Sequence, residues 1–169
     1  MSGDDIQRFV PEGDLGLLGP SLVELIETRG DFLESNPQAR VGIIKLARDV
    51  AEKLRKGKRR DFIPLGILNY VELARRHFHE LQKSGSPLPN DLKQSVRQEL
   101  EDVEQITEDG KMKLFQVDCL IERGWLYFLE NDKKNATKRY RQAKEFAESL
   151  KYGRRDKDLD ELRRALGIS

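Results

Sequence analysis

One cysteine, one tryptophan, two methionines and two histidines in 169 residues leave little material for several kinds of chemistry. A lone Cys119 excludes an internal disulfide and any multi-cysteine zinc site. Its neighbours Asp118 and Leu120 supply no cation that would activate a thiolate, so it reads as a packing residue. His77 and His79 stand two residues apart, which on a helix turns them about 200° from one another, so they cannot chelate one ion as an i, i+4 pair would. His77 with Glu72 or Glu80 is the weaker arrangement, and neither a metal nor a cofactor is expected. No apolar run approaches the ~20 residues of a membrane span, and the opening Met1-Ser2-Gly3-Asp4-Asp5 lacks the basic start and apolar run of a secretory signal. A cytoplasmic protein without a membrane partner is the expectation. Neither charge sign dominates: 31 basic and 30 acidic side chains give a formal charge of +1, so no global field draws in nucleic acid or anionic lipid.

What is present is charge and helical periodicity. Charged residues make up 36% of the chain and apolar ones 37%, a balance that suits a helical protein with many solvated faces. Such a length buries about 70% of the surface of the unfolded chain. Residues 1–19 carry Gly3, Pro11, Gly13, Gly16 and Gly19, too many breakers for a long helix, and read as a flexible N-terminal tail. Residues 20–169 read as a single helical domain. Its first helix is expected from Pro20 to Thr28. A second starts at Asn36-Pro37, where Asn caps the free amides and Pro occupies the first helical position, and runs to Lys56 before Gly57. The third begins near Pro64 and ends at Ser84-Gly85-Ser86-Pro87. Asn90 is placed to cap a fourth, with the stripe Leu92, Val96, Leu100, Val103 and Ile106, ending at Asp109-Gly110. Lys111 to Glu130 and Ala136 to Leu150 follow, with Asp132 a cap between them, and a short helix from Asp158 to Leu166 closes the chain. The expected class is all-α: about seven helices in antiparallel hairpins, arranged as a bundle or a helical solenoid.

One hairpin carries a more specific pattern. Gly124 removes a side chain where a partner helix approaches, Ala136 and Ala143 do the same on the facing helix, and Tyr140 fills the groove between them. Leu120 and Tyr127 flank Gly124. Residues 117–150 on this account resemble one tetratricopeptide (TPR) repeat, a helix-turn-helix unit of about 34 residues with Gly, aromatic, Ala, aromatic and Ala at these intervals. Arg123 stands where leucine usually precedes the glycine, Lys133 where an aromatic is frequent, and no proline follows near Glu148. Within 110–169 the Asp158 to Leu166 helix then resembles the helix that caps such arrays. The resemblance implies a concave surface lined by Asp118, Ile121, Trp125, Phe128 and Leu129, an apolar groove for a segment of another protein. The alternative at helical spacing is that Trp125 and Phe128 pack against the preceding helix.

The sharpest charge feature is Lys53, Arg55, Lys56, Lys58, Arg59 and Arg60 at a helix end and turn. These are candidate phosphate contacts, or else cations that favour the helix dipole and stay solvated. Arg75, Arg76 and the Lys133 to Arg141 face add basic surface. An acidic stretch, Glu99, Glu101, Asp102, Glu104, Glu108 and Asp109, is placed to neutralise the basic loop within one molecule or between two. No glycine-rich phosphate loop and no nucleophile elbow occurs, and no arginine precedes either histidine at the four-to-six-residue interval of small helical ribonucleases. The expected function is therefore non-enzymatic: an adaptor or regulatory scaffold binding another protein, with self-association as a further outcome and nucleic acid through the basic loop as the alternative.

Overall fold

The computed structural model describes residues 36–57 and 60–169. The expected tail, the Pro20 to Thr28 helix, Lys58 and Arg59 lie outside these residues. Among the described residues there are six α-helices and no strand: α1 Pro37–Lys56, α2 Ile63–Lys83, α3 Asn90–Asp109, α4 Lys113–Leu129, α5 Lys133–Ser149 and α6 Asp156–Leu166. Short 3-10 turns at Arg60–Phe62 and Gly153–Arg155 lead into α2 and α6. No helix among the described residues is long and apolar enough to cross a membrane. The chain divides into two compact units, Met1–Glu99 and Leu100–Ser169, with the boundary inside α3.

Local sequence explains most ends. Asn36 Oδ1 accepts a hydrogen bond from the Ala39 amide at 2.8 Å, and Pro37 takes the first helical position. Asp132 Oδ1 accepts from the Asn135 amide at 3.1 Å and starts α5 at Lys133, three residues before Ala136. Asn90 is the first residue of α3 and already helical.

In the first unit α1 packs on α2. Ile44, Ala47, Val50, Ala51 and Leu54 meet a helix that is buried without interruption from Gly66 to Phe78. Gly66 faces Leu54: a Cβ at position 66 would overlap Leu54 Cδ1 and lie 3.5 Å from the Ala51 Cα. Because α2 is enclosed on all sides, its polar residues are inside too. Arg75 is 1% exposed, and Asn69, Glu72, Arg76 and His77 are buried with it. Arg75 and Arg76 therefore do not add basic surface, as their sequence suggested. Glu72 Oε1 accepts from Arg76 Nε at 3.1 Å and Nη2 at 2.9 Å, with Arg75 Nη2 4.0 Å away. Arg40 Nε donates to His77 Nδ1 at 3.0 Å. Burial first, and the Arg40 charge second, hold the His77 imidazole below its ordinary value, which keeps it the neutral acceptor that this hydrogen bond requires.

The second unit is built on one repeated joint. Lys111, Asn131 and Lys151, every twentieth residue, take positive φ of 52°, 63° and 53°. After each, the next amide reaches back five residues: Met112 to the Thr107 carbonyl at 2.8 Å, Asp132 to Tyr127 at 2.9 Å, Tyr152 to Ala147 at 2.8 Å. These are Schellman terminations, which satisfy the carbonyls left open at a helix end. Glycine is the residue that takes this backbone at no steric penalty, whereas lysine pays about 1–2 kcal/mol, offset in part by glycine's larger entropy loss on folding. Lys111→Gly and Lys151→Gly are each expected to raise the unfolding free energy by about 0.5–1 kcal/mol, read as a higher urea midpoint at unchanged slope.

The core of this unit joins three helices. Val117, Ile121 and Trp125 of α4 meet Ala136, Tyr140, Ala143 and Ala147 of α5 and Leu159, Leu162 and Leu166 of α6. Gly124 is the close-approach point: a Cβ there would lie 2.9 Å from Leu162 Cδ2, 3.5 Å from Arg139 Cβ and 3.6 Å from the Ala136 carbonyl oxygen. On its other side α4 is tied to the end of α3. Arg123 forks onto Glu104 at 3.0 and 2.7 Å, and Gln116 Nε2 donates to the Thr107 carbonyl at 2.9 Å.

Candidate functional site

The five residues expected to line a groove are brought together on α4, but mostly facing inward. Ile121 is 0%, Trp125 3% and Leu129 6% exposed. Ile121 and Trp125 belong to the core that α6 completes, so they are corrected from groove lining to packing residues. The reason is topological: α6 returns over the face that an open array would leave free. Phe128 is half-buried and meets the Trp125 ring edge-on, with centroids 5.7 Å apart and planes at 85°. The preference of aromatic pairs for such geometry helps hold the indole in the core.

Asp118, half-buried, takes part in an ion cluster instead of a groove. Arg155, from the 3-10 turn before α6, places Nε 3.0 Å from Asp118 Oδ1, Nη1 3.4 Å from Asp158 Oδ2 and Nη2 3.8 Å from Glu122 Oε1. Glu122 and Asp158 are buried. One guanidinium thus joins carboxylates of α4 and α6 and fixes the turn that brings α6 back. The Tyr152 hydroxyl beside it is pushed up, first by burial and then by the Asp118 carboxylate. No group of three His, Cys, Asp or Glu side chains among the described residues is placed to hold a metal ion.

Cys119 is buried in the second unit, its Sγ 3.8 Å from Thr107 Oγ1. Burial, above all, pushes the thiol up to about 12. Since the folded state holds the proton more tightly than the unfolded chain, the contribution of this group to stability is complete below pH 9 and is lost as pH rises from 9 toward 12. Native protein at neutral pH is expected to react with an aromatic disulfide reagent at least about 100-fold more slowly than unfolded protein, because only the exposed thiolate attacks. A fast native reaction, followed by absorbance, would contradict this burial.

The basic loop is only partly a surface. Lys53, Lys56 and Arg60 are exposed at the end of α1 and the following turn. Arg55 is committed elsewhere: Nη1 donates to Glu99 Oε1 at 2.9 Å, and Nη2 closes the fork on the other Glu99 oxygen. The acidic stretch therefore neutralises one member of the loop within the molecule. Beside this pair, Arg48, Asp91, Gln94, Ser95, Gln98 and Glu99 line an open polar cleft of about 360 Å³. Tyr70 reaches its Ser95 wall through a 2.9 Å hydroxyl contact. Periodicity gave no sign of this cleft, since it is formed by polar positions on two helices far apart in the chain.

The first three turns of α5 present a cationic surface, which gives way to the exposed Glu145 and Glu148 in the last. Lys133, Lys134, Lys138, Arg141 and Lys144 are exposed, and none of them forms an ion pair with another described residue. Lys134, Lys138 and Arg141 follow the i, i+4, i+7 line of one helix face. No acidic residue lies in the first turn of α5, whereas Lys133 and Lys134 do. Cations at that end oppose the helix dipole, so the charge is not there to stabilise the helix. Sequence reading noted these residues but did not make them a site; the signal available was twelve residues, 133–144, with six cations and no carboxylate.

No family model, curated protein or solved structure matches the chain.

Proposed function

We propose that the chain is a protein–protein interaction module, with its second unit a capped, TPR-like helical hairpin that binds an acidic face of a partner protein on α5. The observation that carries this reading is the row of exposed cations on α5, which form no ion pair among the described residues. The close approach at Gly124, the placing of Ala136, Tyr140 and Ala143 in the core, and the position of α6 over the hairpin support the repeat-like part of it. An apolar groove is not part of the reading, because Ile121 and Trp125 are already packed. A cytoplasmic adaptor role follows from it as the working expectation.

The test is capture from native lysate with the full chain as bait, with and without nuclease, beside the variant K134E/K138E/R141E. A nuclease-resistant protein captured by the wild type and lost from a variant of unchanged helical circular dichroism is the expected result. The exposed Lys53, Lys56 and Arg60 favour a second reading, association with nucleic acid. Capture that vanishes with nuclease, and binding that falls steeply with salt, would replace the first reading with the second.

A further inference from the structure

The cations of α5 have a counterpart on the same unit. From Leu100 to Asp109, α3 carries Glu101, Asp102, Glu104, Glu108 and Asp109 and no basic residue. Glu104 is consumed by Arg123, and Asp109 accepts from Gln105 at 2.8 Å. Glu101 and Glu108 are exposed and form no ion pair with another described residue. They are seven residues apart, so they lie on one helix line about 10.5 Å from each other. Lys134 and Arg141 are also seven residues apart on one line, with the same rise. Laid antiparallel, the two lines set Lys134 level with Glu108 and Arg141 level with Glu101, with Lys138 level with Glu104, the carboxylate that Arg123 holds.

We infer that the acidic face received by α5 is α3 of a second copy of this chain. The inference rests on the reading of α5 as a protein-binding face and names its occupant. Three observations point to the second copy over a foreign polyanion. The two lines match in spacing. Among the described residues neither line forms an ion pair. The whole chain is nearly neutral, so the cationic row is balanced by charge the protein itself carries and not by a net excess. Single exposed ion pairs contribute little, but a row of them in register specifies orientation and rejects like-charged alternatives. The resulting contact is salt-sensitive, because the charges face solvent until they meet.

A charge-swap experiment on the full chain tests this, with association read by sedimentation velocity at about 0.05 and about 0.5 M salt. Wild type is expected to self-associate at low salt, with affinity falling at least about tenfold at high salt. K134E/K138E/R141E and E101K/E108K are each expected to be monomeric alone, one carrying two acidic faces and the other two basic ones. Their equimolar mixture is expected to recover association, since each acidic face then meets a basic one. Wild type that stays monomeric at low salt overturns the inference, as does association that survives both variants or a mixture that fails to associate. A monomeric wild type that still captures a nuclease-resistant protein through α5 overturns the second copy while leaving the interaction reading in place. Loss of nucleic-acid binding in the α5 variant of a monomeric chain overturns both.

Discussion

Glu72→Ala is expected to lower the unfolding free energy of the first unit by about 3–5 kcal/mol, the range for removing one partner of a buried ion pair. Glu72 Oε1 accepts two hydrogen bonds from Arg76, and Arg75 Nη2 lies 4.0 Å from the same oxygen. Both guanidiniums are buried on a helix with no solvated side. Truncation leaves that positive charge in place and takes away a negative one, and arginine does not relieve the strain by losing its proton. The measurement is urea unfolding followed by circular dichroism. Glu72→Gln separates charge from hydrogen bonding: the amide oxygen still accepts from Arg76, so a smaller loss is expected than for alanine. Equal losses would assign the effect to hydrogen bonding alone, and a loss under about 1 kcal/mol for alanine would mean that Glu72 is not the anchor of this cluster.

The second large effect belongs to Leu162. This side chain is fully buried and occupies the space that Gly124 leaves open. Leu162→Ala is expected to cost about 2–5 kcal/mol, the sum of lost transfer energy and an incompletely collapsed cavity. Trp125, the single tryptophan, lies in the same core, so its fluorescence follows the transition of the second unit. Gly124→Ala alone sets a methyl 2.9 Å from Leu162 Cδ2 and is expected to destabilise. In the Leu162→Ala background the methyl has room, and alanine's higher helix propensity, worth about 1 kcal/mol, then favours it. The double-mutant cycle is therefore expected to show a coupling of opposite sign to the single losses. Additive effects would mean that Leu162 does not limit the approach at Gly124.

How much of this was legible in the sequence differs from one feature to the next. Asn36-Pro37, Gly57, Asp132 and Asp109-Gly110 marked helix limits because caps and breakers act over a few residues, and the helices run where those signals put them. The α4/α5 pairing was legible for the same reason, with Gly124 and Ala136 within one hairpin. The fate of Ile121 and Trp125 was not. One apolar stripe was visible on α4, but whether a third helix covers it depends on a turn at Arg155 that is specified by Asp118, Glu122 and Asp158, residues without any local pattern. Arg75 and Arg76 misled in the opposite direction: charged residues on a helix read as solvated, and only the enclosure of α2 places them inside. Of the candidate site, the residues of α5 were legible in the sequence, while their exposure side by side is a property of the fold alone.

The covering of α4 and α5 by α6 also has a bearing on the path by which the second unit forms. The most extensive packing in this unit joins the consecutive helices α4 and α5, a local topology associated with fast folding, while the α4/α6 contacts close over a longer stretch of chain. The α4/α5 hairpin is complete in itself as backbone, yet its apolar face, including Ile121 and Trp125, stays open until α6 has docked. Every moment that α6 spends undocked is one in which this face is available to another chain, and exposed apolar surface of that kind is what drives aggregation of partly folded species. The Arg155 cluster, which holds the turn before α6, thereby guards this face as well as setting the geometry of the finished core.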